Sequence, residues 1–222
     1  MPECYHARMN SYHADVAADL WTLVELAAQQ WPDDPMLVSR QGDRCTFAEF
    51  RTRASQTAAG LADLGVSRRD VVSWILPTWV DTVVLAAALS RLGAVQNPII
   101  AIYRDREVGF CTAQAAATHL ITPRQFGGFD FGAMGERISA QNPTVNHLAV
   151  EPGSFPIGNA TGLSPFVAPA DRETGWICYT SGTSADPKGA RHSDATIGSF
   201  VAAMGSCMSV CLLYTSPSPR DS

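Results

Sequence analysis

The residues best suited to chemistry in this chain lie close together, in residues 179–189. The segment reads Tyr-Thr-Ser-Gly-Thr-Ser-Ala-Asp-Pro-Lys-Gly and combines hydroxyl groups, glycine and one lysine. Glycine lets the backbone turn sharply, so successive N–H groups can point at one anion. Lys188 adds a compact positive charge, and Pro187 restricts the backbone that leads to it. These groups together predict a phosphate-binding loop.

Two other interpretations of this segment compete with a phosphate loop. The Walker loop needs a Gly-Lys pair followed by Ser or Thr, whereas Lys188 here precedes Gly189 and no hydroxyl residue follows to hold magnesium. A flexible linker is the structural alternative, because Ser, Gly and Thr are also typical of linkers. The combination of Ser, Gly, Thr, Pro, Lys and Gly at these positions is expected by chance on the order of 10⁻⁷ to 10⁻⁸ per position. That rarity favours the phosphate loop.

Predicted helices and strands alternate along the chain, and they must position this loop. Hydrophobic periodicity predicts helices at residues 20–30, 47–64, 79–92 and 105–117, strands at 71–76, 94–98, 119–122, 145–150 and 176–179, and a hairpin at 36–46. Residues 125–132 are predicted to be a loop with packed aromatic side chains, and residues 152–169 a connector rich in Pro, Gly and Ser. Alternation of this kind is typical of an α/β fold, in which helices flank a parallel sheet.

Local signals predict where several helices begin and end. Thr46 and Glu49 have the spacing of a capping box, in which each residue bonds the other's backbone N–H at the start of a helix. Pro77 and Thr78 are expected to end one strand and to cap the helix that follows. Gly93 is placed to end that helix.

Composition excludes several classes of protein. The net charge of −5 gives no basic face for nucleic acid, and 46% hydrophobic residues are enough to build a sizeable core. The six cysteines form no Cys-x-x-Cys pair, which is typical of reduced thiols in a cytoplasmic protein. Residues 1–10 contain charged side chains without an apolar run, so no secretory signal is predicted there.

Residues 179–189 resemble the phosphate-binding signature of the AMP-forming acyl-CoA synthetases, which belong to the adenylate-forming superfamily. That family usually reads Tyr-Thr-Ser-Gly-Thr-Thr-Gly-x-Pro-Lys-Gly-Val. The resemblance covers about residues 19–204, with further similar segments at 22–32, 46–49, 61–66, 75–77 and 92–98. Residues 97–110 resemble the branch that acts on alicyclic or medium-chain acids.

The resemblance implies a two-step ligation. A small carboxylic acid would react with ATP to give acyl-AMP, and coenzyme A would then form the thioester, with Mg²⁺ as a further cofactor. By position, the residues expected to bind the nucleotide phosphates are Thr180, Ser181, Gly182, Thr183, Ser184, Lys188 and Gly189. No residue is assigned to a metal, and the catalytic residues are expected downstream of this chain. Neither nucleic acid nor stable membrane insertion is expected.

The chain departs from the family signature at three positions. Ala185 replaces the usual glycine, and Ala190 replaces the usual valine. Asp194 stands where histidine is common. A carboxylate there would repel phosphate if it faced the site, so Asp194 is expected to face solvent or to cap the following helix.

The predicted organisation has three parts: an N-terminal extension at 1–18, a partial AMP-binding domain at 19–205, and a tail at 206–222 that is either disordered or an artefact resembling translated sequencing adapter. Such a fragment is expected to be inactive alone. A non-catalytic module that binds a nucleotide or an acyl group remains an alternative. A membrane-anchored accessory protein is another, since residues 195–219 carry no formal charge, but Gly, Ser and Pro in that stretch argue against a membrane span.

Overall fold

The computed structural model describes residues 19–38, 42, 44–170, 172–180 and 186–208. Its helices are α1 (Leu20–Gln30), α2 (Phe47–Asp63), α3 (Val80–Leu92), α4 (Asp105–Gln114), α5 (Phe131–Gln141) and α6 (Asp194–Met208). Its strands are β1 (Pro35–Val38), β2 (Arg44–Thr46), β3 (Val71–Trp74), β4 (Val95–Pro98), β5 (His119–Pro123), β6 (Gln125–Phe126), β7 (Phe129–Asp130), β8 (Asn146–Val150), β9 (Trp176–Thr180) and β10 (Lys188–His192).

The main sheet confirms the predicted α/β class. Its strand order is β10-β9-β4-β3-β5-β8. Every neighbouring pair from β9 to β8 is parallel, and β10 lies antiparallel to β9 at the edge. The sheet is therefore mixed but mostly parallel, and the antiparallel edge strand was not predicted.

The two faces of the sheet are covered by different helices. Leu120 and Ile121 are consecutive in β5, so their side chains point to opposite faces. Ile121 packs in a cluster with Leu89 of α3, whereas Leu120 packs with Cys111 of α4 and Met134 of α5. Helices α1 and α2 add an outer layer against α3.

This arrangement has a topological switch point, where the connections of two neighbouring strands leave on opposite faces of the sheet. Strand β3 leads into α3 on one face, and its neighbour β4 leads into α4 on the other face. In open α/β sheets, ligands bind outside the carboxyl ends of two neighbouring strands whose connections leave on opposite faces. That position here is the carboxyl end of β3 and β4, and the parallel strand β9 ends beside them.

The capping prediction for α2 is confirmed, as is the glycine that ends α3. The Thr46 hydroxyl accepts a 3.2 Å hydrogen bond from the amide of Glu49, and the Glu49 carboxylate accepts a 2.8 Å bond from the amide of Thr46. Gly93 follows α3 with φ of 68°, a left-handed conformation that glycine adopts without steric cost.

The predicted cap at the start of α3 is wrong. Trp79 is the residue that precedes the helix, and no side chain supplies a capping hydrogen bond. The Thr82 hydroxyl instead donates a 2.7 Å bond to the carbonyl oxygen of Pro77. This bond ties the first turn of α3 to the end of the preceding strand, in the place where a cap from Thr78 was expected.

The region predicted as a loop with packed aromatic residues is also different. It forms the short β6–β7 hairpin, and helix α5 follows it immediately. Phe126 is 43% exposed, whereas Phe129 and Phe131 pack edge to face with ring centroids 4.9 Å apart. Asp130 caps α5 by accepting a 2.8 Å bond from the amide of Ala133.

The predicted connector between β8 and β9 lies against the outer helices. Phe155 is 8% exposed and joins the core on the α3 face. The amide of Gly158 donates a 2.9 Å bond to the carbonyl oxygen of Gln56 in α2. The connector is thus mostly irregular, as predicted, with one short 3-10 helix at Ala160–Gly162, and it contacts α2 at Gly158.

Across the described residues, no helix combines the length and apolar character that a membrane crossing needs. Helix α6 contains 15 residues and includes the first part of the uncharged stretch singled out in the sequence. The rest of that stretch, from residue 209 onward, lies outside the described residues.

Candidate phosphate-binding site

The predicted phosphate loop connects β9 to β10, an edge strand of the main sheet, and the two strands form a β-hairpin. Thr180 at the end of β9 pairs with Lys188 at the start of β10, and the loop lies between them. Three of the predicted phosphate-binding residues are described, namely Thr180, Lys188 and Gly189. Outside the described residues are Ser181, Gly182, Thr183 and Ser184, together with Ala185.

The sheet places Thr180 and Lys188, the residues on either side of the undescribed part of the loop, beside the switch point between β3 and β4. Because β9 is parallel to β4, its carboxyl end lies at the same edge as the carboxyl ends of β3 and β4. Thr180 and Lys188 are both exposed, so the ammonium group of Lys188 is open to an approaching anion. Lys188 is also the chain's only lysine.

Tyr179 anchors the base of the hairpin to α4. Its hydroxyl donates a 3.3 Å hydrogen bond to the carbonyl oxygen of Cys111. Burial raises the pKa of Tyr179 above its ordinary value, so the hydroxyl keeps its proton at neutral pH and remains a donor. This bond fixes the end of β9 relative to the helix that follows β4.

Gly189 lets the Tyr179 ring lie across the hairpin. The two residues are directly paired in the β9–β10 ladder. A Cβ atom at position 189 would lie 3.0 Å from Cζ of Tyr179 and 3.2 Å from Cγ2 of Ile177, both closer than ordinary packing distances. The glycine after Lys188 is therefore explained by the close approach of an aromatic ring.

Arg106 of α4 contacts the far end of the loop. Its Nη2 atom lies 3.2 Å from Oδ1 of Asp186, which precedes Pro187 and Lys188. Both side chains are well exposed, at 82% for Arg106 and 56% for Asp186. The pair joins α4 to the hairpin across 80 positions of sequence, and the sequence patterns did not indicate it.

The neighbours of Arg106 at the start of α4 make other contacts. Arg104 places its guanidinium 4.4 Å from the ring centroid of Phe129, a cation–π arrangement. Asp105 accepts a 2.7 Å bond from Arg137, and this bond lowers the pKa of the Asp105 carboxyl. These contacts hold the turn in place and leave Arg106 directed toward the loop.

An open groove of about 1020 Å³ lies between α4 and the β9–β10 hairpin. Its apolar part includes Phe110 of α4 with Ile177 and Tyr179 of β9. Its charged lining residues are Arg69, Arg172, Lys188, Arg191, Glu173 and Asp186. Cations outnumber carboxylates along this lining, which favours anionic ligands.

Asp194 does not have either of its predicted environments. It neither faces solvent nor caps α6; its carboxylate accepts a 2.6 Å bond from the indole Nε1 of Trp176 and a 3.4 Å bond from the amide of Leu20. Burial raises the pKa of Asp194 above its ordinary value. The cap is supplied by Ser193, whose hydroxyl accepts a 3.3 Å bond from the amide of Thr196.

The described part of the chain contains no group of three or more His, Cys, Asp or Glu side chains arranged to hold a metal ion. Cys45, Cys111 and Cys178 are free thiols. Burial raises the pKa of Cys111 to about 11, so this thiol is protonated at neutral pH. It contributes packing under the site rather than a nucleophile.

Comparison with known proteins supports the family resemblance. The family model described as AMP-binding enzyme matches residues 24–220. The chain is 35% identical over 141 residues to the salicyl-AMP ligase / salicyl-S-ArCP synthetase of Mycobacterium tuberculosis, covering 60% of this chain and 25% of that protein. It is 28% identical over 213 residues to the acetyl-coenzyme A synthetase of Rhodopirellula baltica, covering 86% and 31%.

The fold is shared with solved structures as well. A fatty acyl CoA synthetase of Mycobacterium tuberculosis superposes with a TM-score of 0.65 at 22% identity, covering 79% of this chain and 34% of that chain. This chain thus spans about a quarter to a third of the length of the relatives named here. The match over residues 24–220 shows the family, and this chain belongs to the AMP-binding enzymes, whose members are adenylate-forming ligases.

Proposed function

We propose that this chain provides the phosphate-binding part of an ATP-dependent acid–thiol ligase. In the first step, a carboxylate oxygen attacks the α-phosphorus of ATP, an acyl–AMP bond forms and pyrophosphate leaves. In the second step, the thiolate of coenzyme A attacks the acyl carbon and AMP leaves. The observation that supports this proposal is the position of Lys188 on a hairpin at the carboxyl edge of the sheet, in a chain that belongs to this family.

Within this proposal, the hairpin positions the pyrophosphate end of ATP. Lys188 would contact the β- and γ-phosphates as a mobile positive charge. Backbone N–H groups and hydroxyls of residues 180–184 would add hydrogen bonds to the same oxygens. Phosphate oxygens and water would supply most ligands of Mg²⁺, as is common for this ion.

The acid and the final acceptor are also proposals. The resemblance of residues 97–110 favours an alicyclic or medium-chain acid, and coenzyme A is proposed as the acceptor. The relatives named above have aromatic and short-chain acids in their names, and one of those names includes a carrier protein. A substrate screen should therefore include aryl acids and a carrier-protein thiol alongside coenzyme A.

A non-catalytic binding module is the second candidate function. It is favoured by one observation, that the described residues place an exposed Lys188 beside an open groove, which is enough for binding an anionic ligand. ATP–pyrophosphate exchange in the presence of carboxylic acids separates the two candidates. Exchange supports the ligase, whereas binding of ATP without exchange, both by this chain alone and by a full-length protein that contains it, supports the module.

Lys188 provides the direct test of the proposed phosphate site. Lys188→Ala should weaken ATP binding by roughly tenfold or more, because a charge-assisted contact to phosphate is lost. Isothermal titration calorimetry of the chain with ATP measures this change, and Lys188→Arg should retain part of the affinity. Arg51→Ala is a matched control, since Arg51 pairs with Glu25 on the outer helices.

The single lysine allows an independent check. An amine-reactive reagent can modify only Lys188 or the N-terminal amino group, and peptide mass spectrometry separates the two. ATP should protect Lys188 from modification more strongly than AMP does, because AMP lacks the β- and γ-phosphates. Equal modification of Lys188 with and without ATP would contradict the proposal that Lys188 binds the ATP phosphates.

A further inference from the structure

We infer that Arg106 is a positioning residue of the phosphate site, which neutralises the carboxylate of Asp186 so that a polyphosphate can bind beside Lys188. The inference rests on the proposed function, because it assumes that phosphate binds beside Lys188. It adds a residue from α4 to a site that the sequence placed entirely within residues 180–189.

The carboxylate of Asp186 is unfavourable for this site by itself. Asp186 lies two positions before Lys188, and both residues line the same groove. ATP carries several negative charges on its phosphates, and each would be repelled by an unpaired carboxylate nearby. The same carboxylate would also attract the Lys188 ammonium and so compete with phosphate for it.

Arg106 offsets this charge from outside the hairpin. Its guanidinium lies 3.2 Å from the Asp186 carboxylate, and it is the cation paired with Asp186 in the described part of the chain. The other charged groups of the same turn are engaged elsewhere: Asp105 with Arg137, and Glu107 with the amide of Arg104. Within the described residues, the ion pair of Arg106 is made with Asp186 and not with a residue of its own helix.

The location of α4 makes this contact specific to the site. Helix α4 begins directly after the loop that leaves the carboxyl end of β4, and β9 ends at the same edge of the sheet. Tyr179 separately ties β9 to α4 through the carbonyl oxygen of Cys111. Arg106 and Asp186 are thus held on two elements whose relative position is already set.

A double-mutant cycle on ATP binding tests the inference. Arg106→Ala should weaken ATP binding about 3- to 10-fold by leaving Asp186 unpaired, as expected for exposed charges in high dielectric. Asp186→Asn should bind ATP at least as tightly as the unaltered chain. The double variant should match Asp186→Asn, and Arg106→Lys should retain most of the affinity.

Two matched measurements separate this role from a general loss of structure. AMP affinity should change little in Arg106→Ala, because AMP lacks the β- and γ-phosphates. The effect on ATP should shrink as salt is raised from 0.05 to about 0.5 M, since both side chains are exposed and are screened. Arg51→Ala removes an exposed ion pair far from the loop and should leave ATP affinity unchanged.

Each remaining outcome contradicts a specific statement. A double variant as weak as Arg106→Ala means that Arg106 contacts the phosphate directly, which overturns the neutralising role. Unchanged binding in Arg106→Ala, with weakened binding in Lys188→Ala, overturns the inference and leaves the proposed function intact. Unchanged binding in Lys188→Ala, or no binding by the unaltered chain, overturns the proposed function and this inference together.

Discussion

Strands β5 and β10 belong to the same sheet but have opposite surroundings. All five residues of β5 are buried, and helices cover both of its faces. Four of the five residues of β10 are exposed, and among the described strands β10 pairs with β9 alone. The sheet interior thus provides a rigid base, while the edge hairpin presents Lys188 to solvent. Binding groups on a loop that a rigid scaffold positions are common in α/β proteins.

The β9–β10 hairpin is bonded to helices on both faces of the main sheet. Tyr179 and Trp176 are three positions apart in β9, so their side chains point to opposite faces. Tyr179 bonds the backbone of α4, and Trp176 bonds Asp194 at the start of α6. Substitutions in the interior should therefore affect global stability, and substitutions at the edge should affect mainly ligand affinity.

The largest effect on stability is expected in the interior. Leu120→Ala removes a fully buried side chain of β5 and should lower the free energy of unfolding by about 2–5 kcal/mol. Urea denaturation followed by circular dichroism measures the change. Leu64→Ala is the control, because Leu64 is 50% exposed and its truncation should cost less than about 0.5 kcal/mol. Similar losses of unfolding free energy in Leu120→Ala and Leu64→Ala would contradict the expected difference between a buried and an exposed position.

An intermediate effect is expected at the base of the hairpin. Gly189→Ala places a Cβ against the Tyr179 ring and should cost about 1–3 kcal/mol through strain. It should also weaken ATP binding, because the displaced ring no longer fixes the end of β9. Gly162→Ala is the control, since no atom lies within 4 Å of the added Cβ. Unchanged ATP affinity in Gly189→Ala would show that the loop does not depend on this packing.

The smallest effect is expected from His147 in β8. Burial lowers the pKa of His147 below its ordinary value of 6.5, so protonation costs more in the folded than in the unfolded chain. Stability from this residue is complete above pH 6.5 and is lost as pH falls below that value, because the unfolded state then binds more protons. His147→Gln should flatten the decrease between pH 6.5 and 5 in urea titrations. An equally steep decrease in the variant would assign the pH dependence to other groups.

Helices with clear local sequence signals were predicted correctly. Helix α1 has the predicted bounds, and the Thr46 capping box marks the start of α2. Helix α5 was not predicted, because Gly132 and Gly135 lower its helix propensity. The reason for Gly135 lies in another element: a Cβ there would clash with the imidazole of His147. Sequence neighbours give no sign of that contact.

The sequence by itself determined the α/β alternation and predicted a phosphate-binding segment at residues 179–189, because both inferences depend on residue type and short-range spacing. Only the tertiary structure decided the strand order, the antiparallel edge strand and the contact between Asp194 and Trp176. It also brought Arg106 to Asp186 across 80 positions of sequence. Such pairings follow from how helices pack on a sheet, which brings residues distant in sequence together, so no local pattern indicates them.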